Sequence, residues 1–302
     1  MDTQSLRLFV LASETLNISA AGRTLGMAPA VASTRIAKLE RLLGAELLHR
    51  STRKISLSSE GQDFLPYARE MIAQEEAALA ALGQGQTKIS GTLRFAAPST
   101  FAQMYIAPLL PNFMDSYPDL TLDMHLSDAQ FDLIEGSYDL ALRNAVLESS
   151  SLTARKLADD TRILCASPNY IAQYGTPNDP EDLKSHRVIA FRNLEPRQLI
   201  SSDGKSVDLD PKQASNRLIL NDGMTQKRAT LNGAGISVNS RWLVHKEIAS
   251  GALTHVLPDY KIAHQPALWL IYPKSNVVSA KVRVFMDFLV EHIGKTPVWA
   301  EG

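Results

Sequence analysis

Nine side chains in the first sixty residues have the chemistry to hold a polyanion. Ser33, Thr34, Arg35 and Lys38 cluster within six positions, and Arg50, Ser51, Thr52, Arg53 and Lys54 are consecutive. Hydroxyls exchange hydrogen bonds with base edges and phosphate oxygens, whereas fixed cations seek phosphate. On a helix, Ser33, Thr34, Arg35, Lys38 and Arg41 fall on the face opposite the apolar stripe Ile36, Leu39 and Leu43. Such a face, short-chained first and cationic later, suits a major groove. A merely solvated helix face fits the same residues equally well. The next segment tips the balance: LLHR and KISLS read as two strands, with three cations and two hydroxyls at the tip between them.

The elements that must position these groups are legible. Ser19 is the expected cap of a short Ala-rich helix ending at Leu25, and Gly26 supplies the left-handed turn position. Pro29 suits the first turn of the next helix. Ser5 to Thr15 is a preceding helix with Leu6, Phe9, Val10 and Leu16 at helical spacing. Beyond the ribbon, Ser59 and Gln62 have capping-box spacing and open a helix running to about Leu82. Leu65, Ala68, Ile72, Glu75, Leu79 and Leu82 alternate three- and four-residue steps along it, the seam of a paired helix and hence of a homodimer. The same seam also fits an amphipathic helix folded onto its own chain. Gly83-Gln84-Gly85-Gln86 then reads as a hinge.

Composition sets the wider bounds. The 302 residues, 45% apolar, suffice for more than one domain. Basic and acidic residues nearly cancel at 31 and 32, so the whole-chain charge of −1 announces no polyanionic partner. Residues 1–60, however, carry eight basic against five acidic residues, which concentrates the cations where the hydroxyls are. No secretory signal or membrane-length apolar run is visible. Cys165 stands alone, so a cytoplasmic, reducing setting is expected, with the thiol buried in the apolar strand ILCAS. The seven histidines show no metal-ligand spacing, and no cofactor or metal is expected.

From Gly91 the texture becomes short apolar strands alternating with helices, the pattern of α/β layers. Strands are expected near Thr92–Ala97, Leu120–Leu126, Asp139–Arg143, Arg162–Ala166, Val188–Phe191, Arg217–Leu220, Ile236–Asn239 and Trp269–Tyr272. Helices are expected from Phe101, Pro168, Met224, Arg241 and Ser279, the last with Val282, Phe285, Met286 and Leu289 as its buried stripe.

FVLASET, the Ser19-Ala20-Ala21 start, Leu25-Gly26, Ser33, Ile36, Leu39-Glu40, Leu43-Gly44, Leu48 to Arg53 and Ser56 to Gly61 together resemble the winged helix-turn-helix of LysR-type transcriptional regulators. Ala28 stands where members carry a Ser or Thr cap, and a Pro-Ala-Val-Ala run stands where polar base-reading residues often lie, which makes Ser33, Thr34 and Arg35 the expected base readers. DLALR, CASPNYIAQYG, LNGAGISV, SGALTHVLPDY and SAKVRVFMDFLVEHI are similar to the effector domain of the same family. The resemblance implies an N-terminal all-α winged helix-turn-helix over residues 1–58 and a linker and dimerisation helix with hinge over 59–87. It also implies a two-lobed α/β domain of the type 2 periplasmic-binding-protein fold over 91–302, with lobe I at 91–161 plus 267–302 and lobe II at 162–266. It implies pairing through the linker helix, with dimers of dimers also open.

Ligands of such folds sit between the lobes, at strand C-termini. Ser99 and Thr100, with Phe101 beside them, lie where a strand feeds a helix; Ser99 either caps that helix or helps to hold an effector carboxylate. Arg143-Asn144 and Phe191-Arg192 end strands in opposite lobes, and either arginine could clamp a planar anion. Arg143 fits equally an ion pair with Asp139 or Asp128. Asn221 caps a helix or lines the cleft, and Val238-Asn239 is implied as a pocket wall. The expected function is therefore sequence-specific binding of double-stranded DNA under control of a small organic effector, with an anion among the chemistries. The alternative is a solute-binding protein without a DNA-dependent role. No nucleophile elbow, phosphate loop or acid/base pair points to an enzyme.

Overall fold

A computed structural model describes residues 1–50, 55–81, 89–128, 138–145, 152–192, 197–209, 218–263, 265–273 and 278–300. Ser51, Thr52, Arg53 and Lys54, and the hinge at 83–86, lie outside the described residues; Arg50 is described through its backbone alone. The chain divides into two compact units, Met1–Ser90 with Ser275–Val284 and Gly91–Lys274 with Phe285–Gly302.

In the first unit, helix α1 (Thr3–Thr15) precedes α2 (Ile18–Thr24) and α3 (Pro29–Leu43). Asn17, not Ser19, caps α2, its side chain accepting from the Ala20 amide, because the helix begins one residue before Ser19. Gly26 takes φ 69° as expected of the turn. Gly22 is the close-approach residue: a Cβ there would stand 2.6 Å from the Ala32 Cβ, so α2 and α3 touch nearly backbone to backbone. Ile36 and Leu39 are buried with Leu8, Phe9 and Ala12 of α1. Strands β1 (Leu48–Arg50) and β2 (Ile55–Leu57) pair antiparallel, Leu48 opposite Leu57 and Arg50 opposite Ile55, which is the expected ribbon.

Helix α4 (Ser59–Ala81) is capped one residue earlier than expected, by Ser58, whose hydroxyl accepts from the Gly61 amide at 2.8 Å. Its apolar seam is shared out differently from a simple coiled coil. Leu65 and Ala68 are buried in the core of their own unit with Ile72 packed against it, and the Phe64 ring lies 5.8 Å from that of Phe9. Arg7–Glu75 at 3.2 Å and Arg69–Glu14 at 3.1 Å tie α1 to the same helix. Glu75 on the seam thus answers a cation of its own chain. Leu79, further along, is exposed.

Among the described residues the second unit holds three sheets. Strands β3 (Gly91–Ala97), β4 (Leu120–Leu126), β5 (Leu140–Ala145) and β6 (Leu152–Asp159) join β15 (Ala267–Pro273) in the order β4-β3-β5-β15-β6. Another five-stranded sheet has the order β11-β8-β12-β7-β13, from β7 (Arg162–Ala166), β8 (Val188–Phe191), β11 (Ile219–Leu220), β12 (Ile236–Ser240) and β13 (Thr254–Val256). A small sheet, β10-β9-β14, combines β9 (Arg197–Ser201), β10 (Ser206–Leu209) and β14 (Tyr260–Ile262). β3, β4 and β5 are parallel, as are β8, β11 and β12, so each large sheet has one edge where strand C-termini gather. The chain crosses between the sheets near 159–162 and returns near 262–267.

Residues 99–116 are one helical run with changing pitch: α5 (Ser99–Phe101), a π turn (Ala102–Ile106), a 3-10 turn (Ala107–Leu109) and α6 (Leu110–Ser116). Pro108 and Pro111 explain the break-up, since each removes a backbone donor and crowds the carbonyl four residues back. Helices α7 (Pro168–Tyr174), α8 (Gly223–Leu231) and α9 (Arg241–Ala249) serve the second large sheet. In α10 (Ala280–Leu289) the expected stripe is buried, with Phe285 edge-on to Phe95 at 5.0 Å and to Phe113 at 4.8 Å.

Candidate functional site

The leading face of α3 is less polar than its sequence suggests. Pro29, Ala30, Val31, Thr34, Lys38 and Arg41 are exposed, whereas Ser33 and Arg35 are half-buried. Ala28 provides no side-chain cap, and Pro29 stands at the first turn without needing a donor. The Thr34 hydroxyl donates to the Ala30 carbonyl at 2.9 Å. Arg35 is drawn aside: Nη1 donates to Gln4 Oε1 at 2.6 Å and lies 3.7 Å from Asp2 Oδ1. The expected base reader is therefore clasped by the start of α1. The Asp2 carboxyl is held below the usual carboxylate range chiefly by the Ser5 hydroxyl and amide, with Arg35 contributing. Glu40, which carried no assigned role, sets the ribbon: its Oε1 accepts from the amides of Leu47 and Leu48, both at 3.1 Å, fixing β1 to the far end of α3. The Leu39-Glu40 pair was the available signal.

In the second unit, Ser99 neither caps a helix nor waits empty-handed. Its amide donates to Asp128 Oδ1 at 2.8 Å and the Thr100 hydroxyl to Asp128 Oδ2 at 3.3 Å, so a carboxylate of the chain itself fills the expected anion position. Asn221 is exposed and the cap of α8 is its neighbour Asp222, which accepts from the Thr225 amide at 2.7 Å. Burial would raise the Asp222 carboxyl, but the hydroxyl and amide of Thr225 outweigh it and hold it below the usual range.

Two expected ligand contacts are core instead. Phe101 is fully buried, its ring edge-on to Trp242 at 5.2 Å and to Trp299 at 5.9 Å, beside Tyr105, whose hydroxyl donates to the Trp242 carbonyl. Val238 is buried among Leu164, Ile236 and Val256. An aromatic or β-branched side chain at these positions gains more from burial than from a wet cleft. Asn239, 1% exposed, faces Ser237 and Cys165, donating to Oγ at 2.6 Å and Sγ at 3.3 Å.

Burial pushes the Cys165 thiol up to about 11, against the lowering effect of Asn239 and Ser237. At pH 8 the thiolate fraction is then on the order of one part in a thousand. Native protein is expected to resist thiol reagents at that pH and to titrate one thiol in denaturant; rapid stoichiometric labelling of the native chain would contradict this.

Arg143 and Asn144 are neighbours on a strand and so project from opposite faces. Arg143 is half-buried and already engaged. Arg192 is exposed and Phe191 half-buried at the end of β8. Asn144 enters a polar cluster built on Asp160. Asp160, fully buried, accepts through Oδ2 from Asn144 Nδ2 at 2.7 Å, Arg162 Nε at 2.7 Å and Ser240 Oγ at 3.0 Å. Its amide donates to the Pro266 carbonyl at 3.2 Å, joining the two crossing segments. Burial and then the Arg162 cation pull Arg197 down to about 10, with Asp160 acting the other way. The Oδ1 atoms of Asn144, Asp160 and Asn239 are buried acceptors without a partner among the described residues. Asp160, Arg162, Arg197 and Ser240 were not singled out from the sequence, since no local spacing links residues up to 80 apart.

Known proteins place these features. A profile described as "Bacterial regulatory helix-turn-helix protein, lysR family" matches residues 3–62, and "LysR substrate binding domain" matches residues 86–294. The chain is 34% identical to an HTH-type transcriptional regulator of Xanthomonas campestris pv. campestris, over 97% of this chain and 86% of that protein. It is 33% identical to the HTH-type transcriptional regulator DmlR of Escherichia coli K12, over 96% and 94%. The solved structure of CrgA, a LysR-type transcriptional regulator from Neisseria meningitidis, matches with a TM-score of 0.62 and 30% identity, over 98% and 100%. No described helix is long and apolar enough to cross a membrane. By these matches along nearly its whole length, the chain belongs to the LysR family of DNA-binding transcriptional regulators, non-enzymatic proteins that join a helix-turn-helix module to an effector-binding domain.

Proposed function

We propose that this regulator works in the cytoplasm as a homodimer paired through α4, with α3 in the major groove and the ribbon tip Arg50 to Lys54 on phosphate, under control of a small organic effector. The effector enters between the two large sheets, near Ser99, Asn144, Arg192 and Asn221. What supports this reading is the Asp160 cluster, where Asn144 from one sheet and Ser240 from the other share a single carboxylate. A ligand that alters their spacing alters the packing of both halves, and it controls DNA binding only if it favours one arrangement over the other. An anionic effector gains the Ser99 amide only by displacing Asp128.

The test is binding to duplex DNA upstream of the gene and its neighbours at graded ionic strength. Log K is expected to fall with log salt at a slope of about −0.9 per phosphate neutralised. With six such contacts that is a loss of about a thousandfold between roughly 50 and 200 mM salt. A flat, weak dependence would refute the reading. Metabolites of the flanking genes, screened by thermal shift, then identify the effector, since a ligand at about 100 times its Kd adds about 2.7 kcal/mol of stability.

A further inference from the structure

The first turn of α3 leaves a valine where nothing in the fold requires one. Val31 is 52% exposed although its neighbour Ala32 is fully buried, and Pro29 and Ala30 beside it are exposed too. Thr34 lies three residues on, on the same face of the helix. With its hydroxyl turned back to the Ala30 carbonyl, its methyl is what remains to offer. The guanidinium that would have made polar base contacts there, that of Arg35, is spent on Gln4 and Asp2. Exposed Lys38 and Arg41 follow further along the helix, where phosphate is the matching partner.

We infer that Val31, supported by the Thr34 methyl, reads the C5-methyl group of thymine in each operator half-site. Thymine alone among the four bases presents a methyl in the major groove, and apolar side chains are its natural complement. A β-branched side chain is stiff about χ1, so little entropy is lost when it is pressed against that methyl. The inference rests on α3 entering the major groove.

The operator half-site is selected from a random duplex pool with the full-length protein, and its thymines are replaced one at a time by deoxyuridine, which deletes only the methyl. At one or two positions per half-site, affinity is expected to fall about fourfold, the value of one buried methyl group. Val31→Ala is expected to bind the thymine and deoxyuridine duplexes alike, and the exposed site makes this a benign change for folding. Lys38→Ala is expected to weaken both duplexes and keep the fourfold ratio. A selected duplex indifferent to every deoxyuridine, or a Val31→Ala variant that keeps the ratio, overturns the inference while leaving groove binding intact. A pool that yields no enriched sequence overturns both.

Discussion

Asp160→Ala is expected to cost about 3–5 kcal/mol of stability, the range for removing one partner of a buried ion pair. The side chain is fully buried and takes three donors on one oxygen, one of them the guanidinium of Arg162, only 19% exposed. Alanine would leave that cation without its carboxylate partner while Arg162 still opposes the charge of Arg197, and would deprive Asn144 Nδ2 and Ser240 Oγ of their acceptor. An unpaired buried charge loses far more than the pair contributed when intact, because desolvation is then uncompensated. Asp160→Asn keeps an acceptor oxygen of the right shape and is expected to fall between wild type and alanine. The change is read as a shift in the denaturant midpoint or as Tm, at roughly 2–4 °C per kcal/mol for a unit of this size. A loss below about 1 kcal/mol for the alanine variant would show that the cluster does not clamp the two crossing segments.

Gly61→Ala is the second large effect, and it falls on the DNA-binding unit. An added Cβ would stand 2.1 Å from the Leu47 carbonyl oxygen and 3.1 Å from Leu57 Cδ2. That carbonyl cannot yield cheaply: it accepts from the Ser58 amide at 3.0 Å, and the Leu47 amide is held by Glu40. Overpacking of this kind costs about 1–3 kcal/mol, and each hydrogen bond broken by the displacement adds about 1 more. A total of about 3–4 kcal/mol is expected. Because both ribbon strands border the clash, the ribbon must move relative to α3. Affinity for duplexes of any sequence is therefore expected to drop at least about tenfold, as a displacement costing 1.4 kcal/mol already would. Melting curves and fluorescence anisotropy with a random duplex check the two parts separately; wild-type behaviour in both would mean that Leu47 moves aside without consequence.

These two residues also mark where sequence reasoning reached and where it stopped. Gly61 was part of the motif that disclosed the family, yet its function, to let Leu47 pass, needed coordinates. The α3 stripe, the Leu48–Leu57 ribbon, most strands of the α/β region and the α10 stripe were legible, because helical and strand periodicities involve residues only two to four positions apart; which strands run parallel was left to the tertiary structure. Caps were misplaced by one or two residues, Asn17 for Ser19 and Ser58 for Ser59, since several adjacent hydroxyls and amides could serve and the backbone chooses among them.

By its order of residues alone, this protein was determined to be a helix-turn-helix with a basic ribbon, followed by a layered α/β domain. Only the tertiary structure decided that Arg35 answers to Gln4, that Asp128 sits on Ser99, that Leu65 and Ala68 are spent on their own chain, and that Asp160 binds two sheets together. The reason is one of range: burial patterns repeat locally and can be counted along the chain. The partner of a charge or an amide is whichever group the closed fold brings within about 3 Å, however distant in sequence.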